Sequence, residues 1–162
     1  REALTRAFRP RGSTALYDAI TAGFEYLTHG THQRTALVVV SDGGDNASRA
    51  TLDEVVKMTE ASNTVIYTIG LIDRNERTAN PRILEQLAET SGGEAFRPRN
   101  PGQVERVLRL IANDIRNTYT FGYVSTNTER DYRLRRIHVA VQKPGERDLR
   151  VRARSGYVAE PR

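Results

Sequence analysis

Apolar and polar positions along this chain switch between two periods. In "GSTALYDAITAGFEYLTHG" (12–30), Leu16, Ala19, Ile20, Gly23, Phe24 and Leu27 recur at helical spacing. A helix is predicted there, with Ser13 or Thr14 capping its start and Gly30 closing its end. Residues 35–41 are apolar almost throughout, which predicts a strand buried on both faces, as in a parallel sheet. "TLDEVVKMTEASN" (51–63) sets Thr51 and Glu54 at capping-box spacing before an inner face of Leu52, Val55, Val56 and Thr59. "TVIYTIGL" (64–71) is a second, β-branched strand.

The same alternation continues. "NPRILEQLAETSGG" (80–93) has Asn80 as cap, Pro81 at the first helical position, an apolar stripe of Ile83, Leu84, Leu87 and Ala88, and Gly92 as stop. "GEAFRP" is a short third strand. "NPGQVERVLRLIANDIRNTY" (100–119) is a helix with a stripe at Val104, Val107, Leu108, Ile111 and Ile115. Strands alternating with helices at this spacing define an α/β class, a Rossmann-like parallel sheet flanked by helices. From residue 119 the period changes to two. "YTFGYV", "LRRIHVAVQ" and "LRVRARSGY" read as an antiparallel β extension, with "KPGERD" turning between the last two. Ile137, Val139 and Val141 are expected inward on one strand and Leu149, Val151 and Ala153 on its neighbour. Arg150, Arg152 and Arg154 then fall on the solvated face. Tyr119, Phe121 and Tyr123 alternate as packing residues. The chain divides accordingly into 1–118, the α/β portion, and 119–162, the extension packed on it.

Composition narrows the function. The sequence has 38% hydrophobic and 28% charged residues, a balance that fits a folded globular protein and not a disordered tail. No apolar run is long enough for a membrane span. Cysteine is absent, which excludes thiolate metal sites and thiol nucleophiles. The formal net charge is +5, carried almost wholly by arginine. An arginine-rich strand face is one rival reading, a nucleic-acid or acidic-surface platform, but Glu129, Asp131, Glu146, Asp148 and Glu160 are interspersed and mixed signs suit a solvated face better.

The candidate site follows from the strand 35–41, which ends in "SDGGDN". In open α/β sheets ligands sit beyond the carboxyl ends of the strands. Asp42 stands at such an end, and a carboxylate there suits a hard cation that takes oxygen ligands. Asp45 and Asn46 are read as turn formers before cation ligands, and Asp18 as a solvated or dipole-pairing acid. An enzyme using Asp42 is the second rival. Phospho-acceptor folds pair such an Asp with a lysine at another strand end, and Lys57, on a helix, and Lys143, in a turn, are not so placed. No nucleophile elbow, P-loop or dinucleotide fingerprint occurs. His29, His32 and His138 read as exposed residues. The chain is therefore expected not to be an enzyme.

The ordered series "GSTALYDAI", "ALVVVSDGGDNAS", "VIYTIGL", "LAETSGGEAF" and "YTFGYVSTN…RRIHVAVQ…VRARSGY" resembles bacterial von Willebrand factor A-type (VWFA-related) domain proteins over nearly the whole chain. The resemblance implies a metal-ion-dependent adhesion site built from a DxSxS motif, a threonine of a second loop and an aspartate of a third. By matching position these last two are Thr14 and Asp42. It implies Mg²⁺, Ca²⁺ or Mn²⁺ in the complete domain, a protein partner that completes the cation's shell with a carboxylate, and an exported, periplasmic or extracellular location.

No DxSxS occurs in these 162 residues. The chain therefore resembles the later part of such a domain, N-terminally incomplete, and weak metal binding or none is expected from it alone. In the family the DxSxS strand lies beside the strand equivalent to 35–41. Without it that strand becomes an edge, and self-association or a partner strand is expected to cover Val38 to Val40.

Overall fold

The β-branched runs at 36–41 and 65–70 form strands, and each 3.6-period stripe among the described residues forms a helix. The computed structural model describes residues 13–32, 34–71, 79–129, 131–142, 144–145, 149 and 151–159. Among them the order is α1 (Leu16–Thr28), β1 (Ala36–Ser41), α2 (Leu52–Ala61), β2 (Val65–Gly70), α3 (Pro81–Ser91), β3 (Ala95–Phe96), α4 (Gly102–Arg116), β4 (Leu134–Arg136) and β5 (Gly156–Val158). Strands β1, β2 and β3 lie side by side in that order, all parallel, with Ala36 opposite Val65 and Thr68 opposite Ala95. Strands β4 and β5 form a separate antiparallel pair. The fold is α/β.

Strand β2 is the centre. Its even residues face α1, α2 and α3, where Ile66 joins Leu16, Ile20, Phe24, Val39, Val55, Leu84 and Leu87. Its odd residues Tyr67 and Ile69 face α4 and meet Val107 and Ile111. Ile66 and Ile69 are fully buried, and burying each stabilises the fold by about 1.5–3 kcal/mol. Buried polar groups in this layer are matched. Because β3 is short, the Ile66 N–H finds no strand partner and donates instead to Ser91 Oγ at 2.8 Å, while Thr68 Oγ1 donates to the Leu84 carbonyl at 3.1 Å.

Local chemistry explains most helix ends. Thr51 and Glu54 form the expected capping box on α2. Pro81 opens α3, and Gly92 ends it in the left-handed conformation. Asn80 occupies the cap position of α3 without a side-chain cap bond. Asn100 Oδ1 accepts from the Gln103 N–H at 3.2 Å at the start of α4.

The structure corrects several expectations. Strand β1 is buried on one face only: Val39 is inside, but Val38 and Val40 are 38% and 40% exposed, because β1 lies at the sheet edge and α4 covers β2 instead. For the same reason only Val107 and Ile111 of the α4 stripe are buried, while Leu108 and Ile115 face solvent. The C-terminal ribbon is antiparallel as expected, with Leu134 opposite Val158, but as two short strands. Residues 119–124 form no strand; Tyr119 and Phe121 stack on each other while remaining 83% and 85% exposed. Val139, Val141, Leu149, Val151 and Ala153 are also exposed, since among the described residues no third layer lies over that ribbon. Lys143 and Arg150 lie outside the described residues.

Arg152 and Arg154 do not line a solvated face. They are the anchors of the extension. Arg152 bridges Glu94 and Asp114, each at 2.5 Å, and Asp114 also accepts from the Tyr67 hydroxyl at 2.6 Å. Arg154 donates to the Glu60 carbonyl at the end of α2 and to Asn63 Oδ1. Charge-assisted bonds of this kind are the strong ones.

The tightest backbone approach is at Gly93, where a Cβ would stand 2.0 Å from the Ile66 carbonyl oxygen. Gly93→Ala is expected to lower unfolding stability by about 1–3 kcal/mol or more, whereas Gly122→Ala, with nothing within 4 Å, leaves it unchanged. Urea unfolding of the two variants checks this, and equal midpoints would contradict the packing.

Candidate functional site

Three loops meet beyond the carboxyl ends of the parallel strands. Strand β1 runs into Asp42, whose Oδ1 accepts from the Gly44 N–H at 2.9 Å and lies 3.4 Å from Ser41 Oγ. Its Oδ2 takes no hydrogen bond among the described residues, and the side chain is half-buried. Gly43 follows with φ 85°, and a Cβ there would meet the Asn80 carbonyl oxygen at 2.2 Å. This close approach lets the Asn80 N–H donate to the Asp42 carbonyl at 3.2 Å, which seats the start of α3 against the β1 tip.

The chain then folds back over α1. Asn46 Oδ1 accepts from the Thr14 N–H at 2.7 Å, and the Thr14 carbonyl accepts from the N–H groups of Asn46 and Ala47. Thr14 is thus tied by its backbone to a residue four positions beyond Asp42, and its hydroxyl makes no hydrogen bond among the described residues. The two residues singled out from sequence belong to adjoining loops at one end of the sheet.

What joins these loops is a pair of reciprocal carboxylate contacts. The start of α1 is not capped by Ser13 or Thr14. Its N-cap is Ala15, which has no side chain to offer, and the loop after β1 caps the helix instead. Asp45 Oδ2 accepts from the Tyr17 N–H at 3.0 Å, and Ser48 Oγ accepts from the Asp18 N–H at 3.1 Å. In return Asp18 accepts from the N–H groups of Arg49 and Ala50, at 3.0 and 2.9 Å. The orphan donors of a helix N-terminus are satisfied by another segment, and the favourable dipole adds to the contact.

Protonation follows from these contacts. Burial pushes the Asp45 carboxyl up, but hydrogen bonds from Ser48 and from the Tyr17, Ser48 and Leu16 N–H groups outweigh it and hold the group below the usual carboxylate range. The Ala50 and Arg49 N–H groups lower Asp18 likewise. Burial, with the neighbouring Asp45 charge, raises the Tyr17 phenol.

These bonds settle the role of Asp45 and Asp18 at the level of structure: both are engaged with backbone donors. Asp18 was read as a solvated or dipole-pairing acid, and it does lie in the first turn of α1; the bonds it accepts from Arg49 and Ala50, and with them the clasp, were not anticipated. The signal was present in "DNAS", where Ser48 stands three residues after Asp45 and donates its N–H back to Asp45 Oδ1. Among the described residues, no three His, Asp or Glu side chains gather to hold a metal. Of the two residues singled out from sequence, Asp42 Oδ2 and Thr14 Oγ1 take no hydrogen bond among the described residues, and two oxygens are well short of the six to eight that a hard cation such as Ca²⁺ typically takes. His29, His32 and His138 are exposed.

No protein-family model and no curated protein matches the chain. Two solved structures resemble it. One is an uncharacterized membrane spanning protein from Vibrio fischeri, 21% identical over 57% of this chain and 52% of that one, with a TM-score of 0.44. The other is an aerotolerance-related membrane protein from Bacteroides fragilis, 17% identical over 67% of this chain and 63% of that one, with a TM-score of 0.48. The chain thus spans about half to under two thirds of the length of these relatives, and the likenesses assign it no function. Among its described residues, no helix is long and apolar enough to cross a membrane.

A carboxyl held low in the folded state contributes stability above its unfolded pKa and loses it as pH falls through the folded value. Asp45→Ala is therefore expected to cost about 1 kcal/mol near neutral pH, the usual worth of a helix N-cap. The gap between parent and variant should close as pH drops below about 4. Thermal unfolding of both across that range measures the gap, and a gap that does not change with pH would contradict the clasp.

Proposed function

We propose that this chain is the later portion of a non-enzymatic protein-interaction module of the von Willebrand factor A type. In this reading Asp42 and Thr14 supply two ligands of a cation-dependent adhesion site, and residues outside this chain supply the rest. The observation that carries it is the juxtaposition of the two loops at the carboxyl end of a parallel sheet, with Asp42 Oδ2 and Thr14 Oγ1 both unengaged.

Bound there, a divalent cation would present a positive centre to a partner's carboxylate. The role of this chain is to hold its two oxygens at fixed positions, Asp42 through the Gly44 N–H and Thr14 through Asn46. The clasp residues Asp45 and Asp18 position those loops and do not bind the ion. The arginine platform is disfavoured because Arg152 and Arg154 turn inward to Glu94, Asp114 and the end of α2.

Calorimetric titration of Mn²⁺ into a polypeptide that carries these residues behind a DxSxS-bearing segment tests the reading. Saturable heat is expected with the parent and none with Asp42→Ala. A titration that Asp42→Ala leaves unchanged would remove the site.

A further inference from the structure

One face of the β4–β5 ribbon carries phenol and guanidinium groups that the cation site does not use. Arg135 of β4 stands opposite Tyr157 of β5. Residues directly opposite in an antiparallel pair project to the same face, so the two side chains lie together. Arg135, with only 14% of its side chain exposed, donates from Nη1 to the Asn127 carbonyl at 2.9 Å and from Nη2 to the Glu129 carbonyl. The connector between α4 and β4 is thereby held against the ribbon, and Tyr123 within it meets Tyr157. Their rings stand edge to face, 6.2 Å between centroids at 78°.

The hydroxyls meet as well as the rings. The Tyr123 hydroxyl donates to Tyr157, and this bond raises the Tyr123 phenol. Tyr157 accepts from Ser125 and from Tyr123, and its phenol is held below the usual range. Two phenols that share a hydrogen bond have their ortho carbons close to each other. A carbon–carbon bond between the rings needs that arrangement, because in the coupled product the two hydroxyls flank the new bond.

Composition sharpens the point. Cysteine and tryptophan, which compete with tyrosine for one-electron oxidation, are both absent, and the single methionine, Met58, packs against the core. Oxidising equivalents therefore fall to the seven tyrosines. Tyr67 is buried and donates its hydroxyl to Asp114, and Tyr119 stacks on Phe121, which has no hydroxyl. Tyr123 and Tyr157 form the one tyrosine–tyrosine ring contact among the described residues. Tyr123 is 63% exposed, so an oxidant reaches it from solvent.

We infer that Tyr123 and Tyr157 form an oxidative cross-linking site, whose co-reactant is a one-electron oxidant of the haem-peroxidase class working with hydrogen peroxide. Each phenol loses one electron and one proton. The two radicals join through carbons ortho to their hydroxyls, and the hydrogen on each of those carbons shifts to its own ring's oxygen, which restores aromaticity. The two electrons and two protons released reduce one hydrogen peroxide to two waters. The dityrosine product ties the connector covalently to β5, in an extension whose attachment to the α/β layer otherwise includes the polar anchors Arg152 and Arg154. The site is independent of the cation reading, since neither tyrosine belongs to the loops of Asp42 and Thr14.

Treatment of the dilute 162-residue chain with a haem peroxidase and one equivalent of hydrogen peroxide tests the inference. Blue dityrosine fluorescence should appear in the monomer fraction, and the intact monomer should lose the mass of two hydrogen atoms. A protease digest should join the peptide that contains Tyr123 to the one that contains Tyr157. Tyr123→Phe and Tyr157→Phe, which keep both rings, should each abolish the monomeric product, whereas Tyr26→Phe and Tyr132→Phe, at exposed tyrosines without a tyrosine partner, should leave its yield unchanged. Coupling only between separate chains, an intramolecular link between any other pair of tyrosines, or a monomeric product that survives Tyr157→Phe overturns the inference.

Discussion

The site end of this molecule depends on one exchange of hydrogen bonds. A helix that begins at Leu16 has backbone donors with no partner of their own, and the residue before it is alanine. Asp45 and Ser48 satisfy them from the loop after β1, and Asp18 returns the favour to Arg49 and Ala50. Each bond taken alone is worth little in water. Together with the bonds between Thr14 and the Asn46–Ala47 backbone, they hold Thr14, which precedes the helix, against the loop that starts at Asp42. A loop of glycine, alanine and polar residues has little apolar reason to stay in place; the N-terminal donors of α1 hold it.

The rest of the architecture sets where that exchange happens. Strand β2 is buried on both faces and registers β1 and β3 beside it, which puts the strand ends, and hence the loops, at one level. The C-terminal segment attaches at the opposite end. Arg154 reaches the Glu60 carbonyl in the last turn of α2, and Ser155 donates its N–H to the Thr90 carbonyl near the end of α3. Arginine at helix C-termini complements the negative end of the dipole. The two ends of the sheet thus use the two signs of the helix terminus, carboxylates at the start of α1 and a guanidinium at the end of α2.

Much of this was legible from residue pattern. Periodicity located every helix among the described residues, because a stripe such as Ile83, Leu84, Leu87 and Ala88 has one physical use. The capping box at Thr51 and Glu54 and the stop at Gly92 are local, and local rules found them. The errors are non-local. Val38 and Val40 are apolar and look interior, yet whether a helix covers that face of an edge strand depends on packing that its own letters do not name. Arg152 and Arg154 alternate with apolar residues as solvent-facing side chains do, and only the fold brings Glu94, Asp114 and Glu60 to them. Asp42 and Thr14 were singled out by their place after a predicted strand and before a predicted helix, and by the resemblance. The clasp was missed because Asp45 serves a helix whose cap, by local rules, should be Ser13 or Thr14.

The claim that these loops are held together can be read amide by amide. Hydrogen exchange at neutral pH should show the Thr14, Tyr17, Asp18, Arg49 and Ala50 N–H groups slowed as one set, and Asp45→Ala should speed them together while Ile66 and Thr68 stay protected. Exchange of that set at the rate of an unstructured chain in the parent protein, with β2 still protected, would contradict the account.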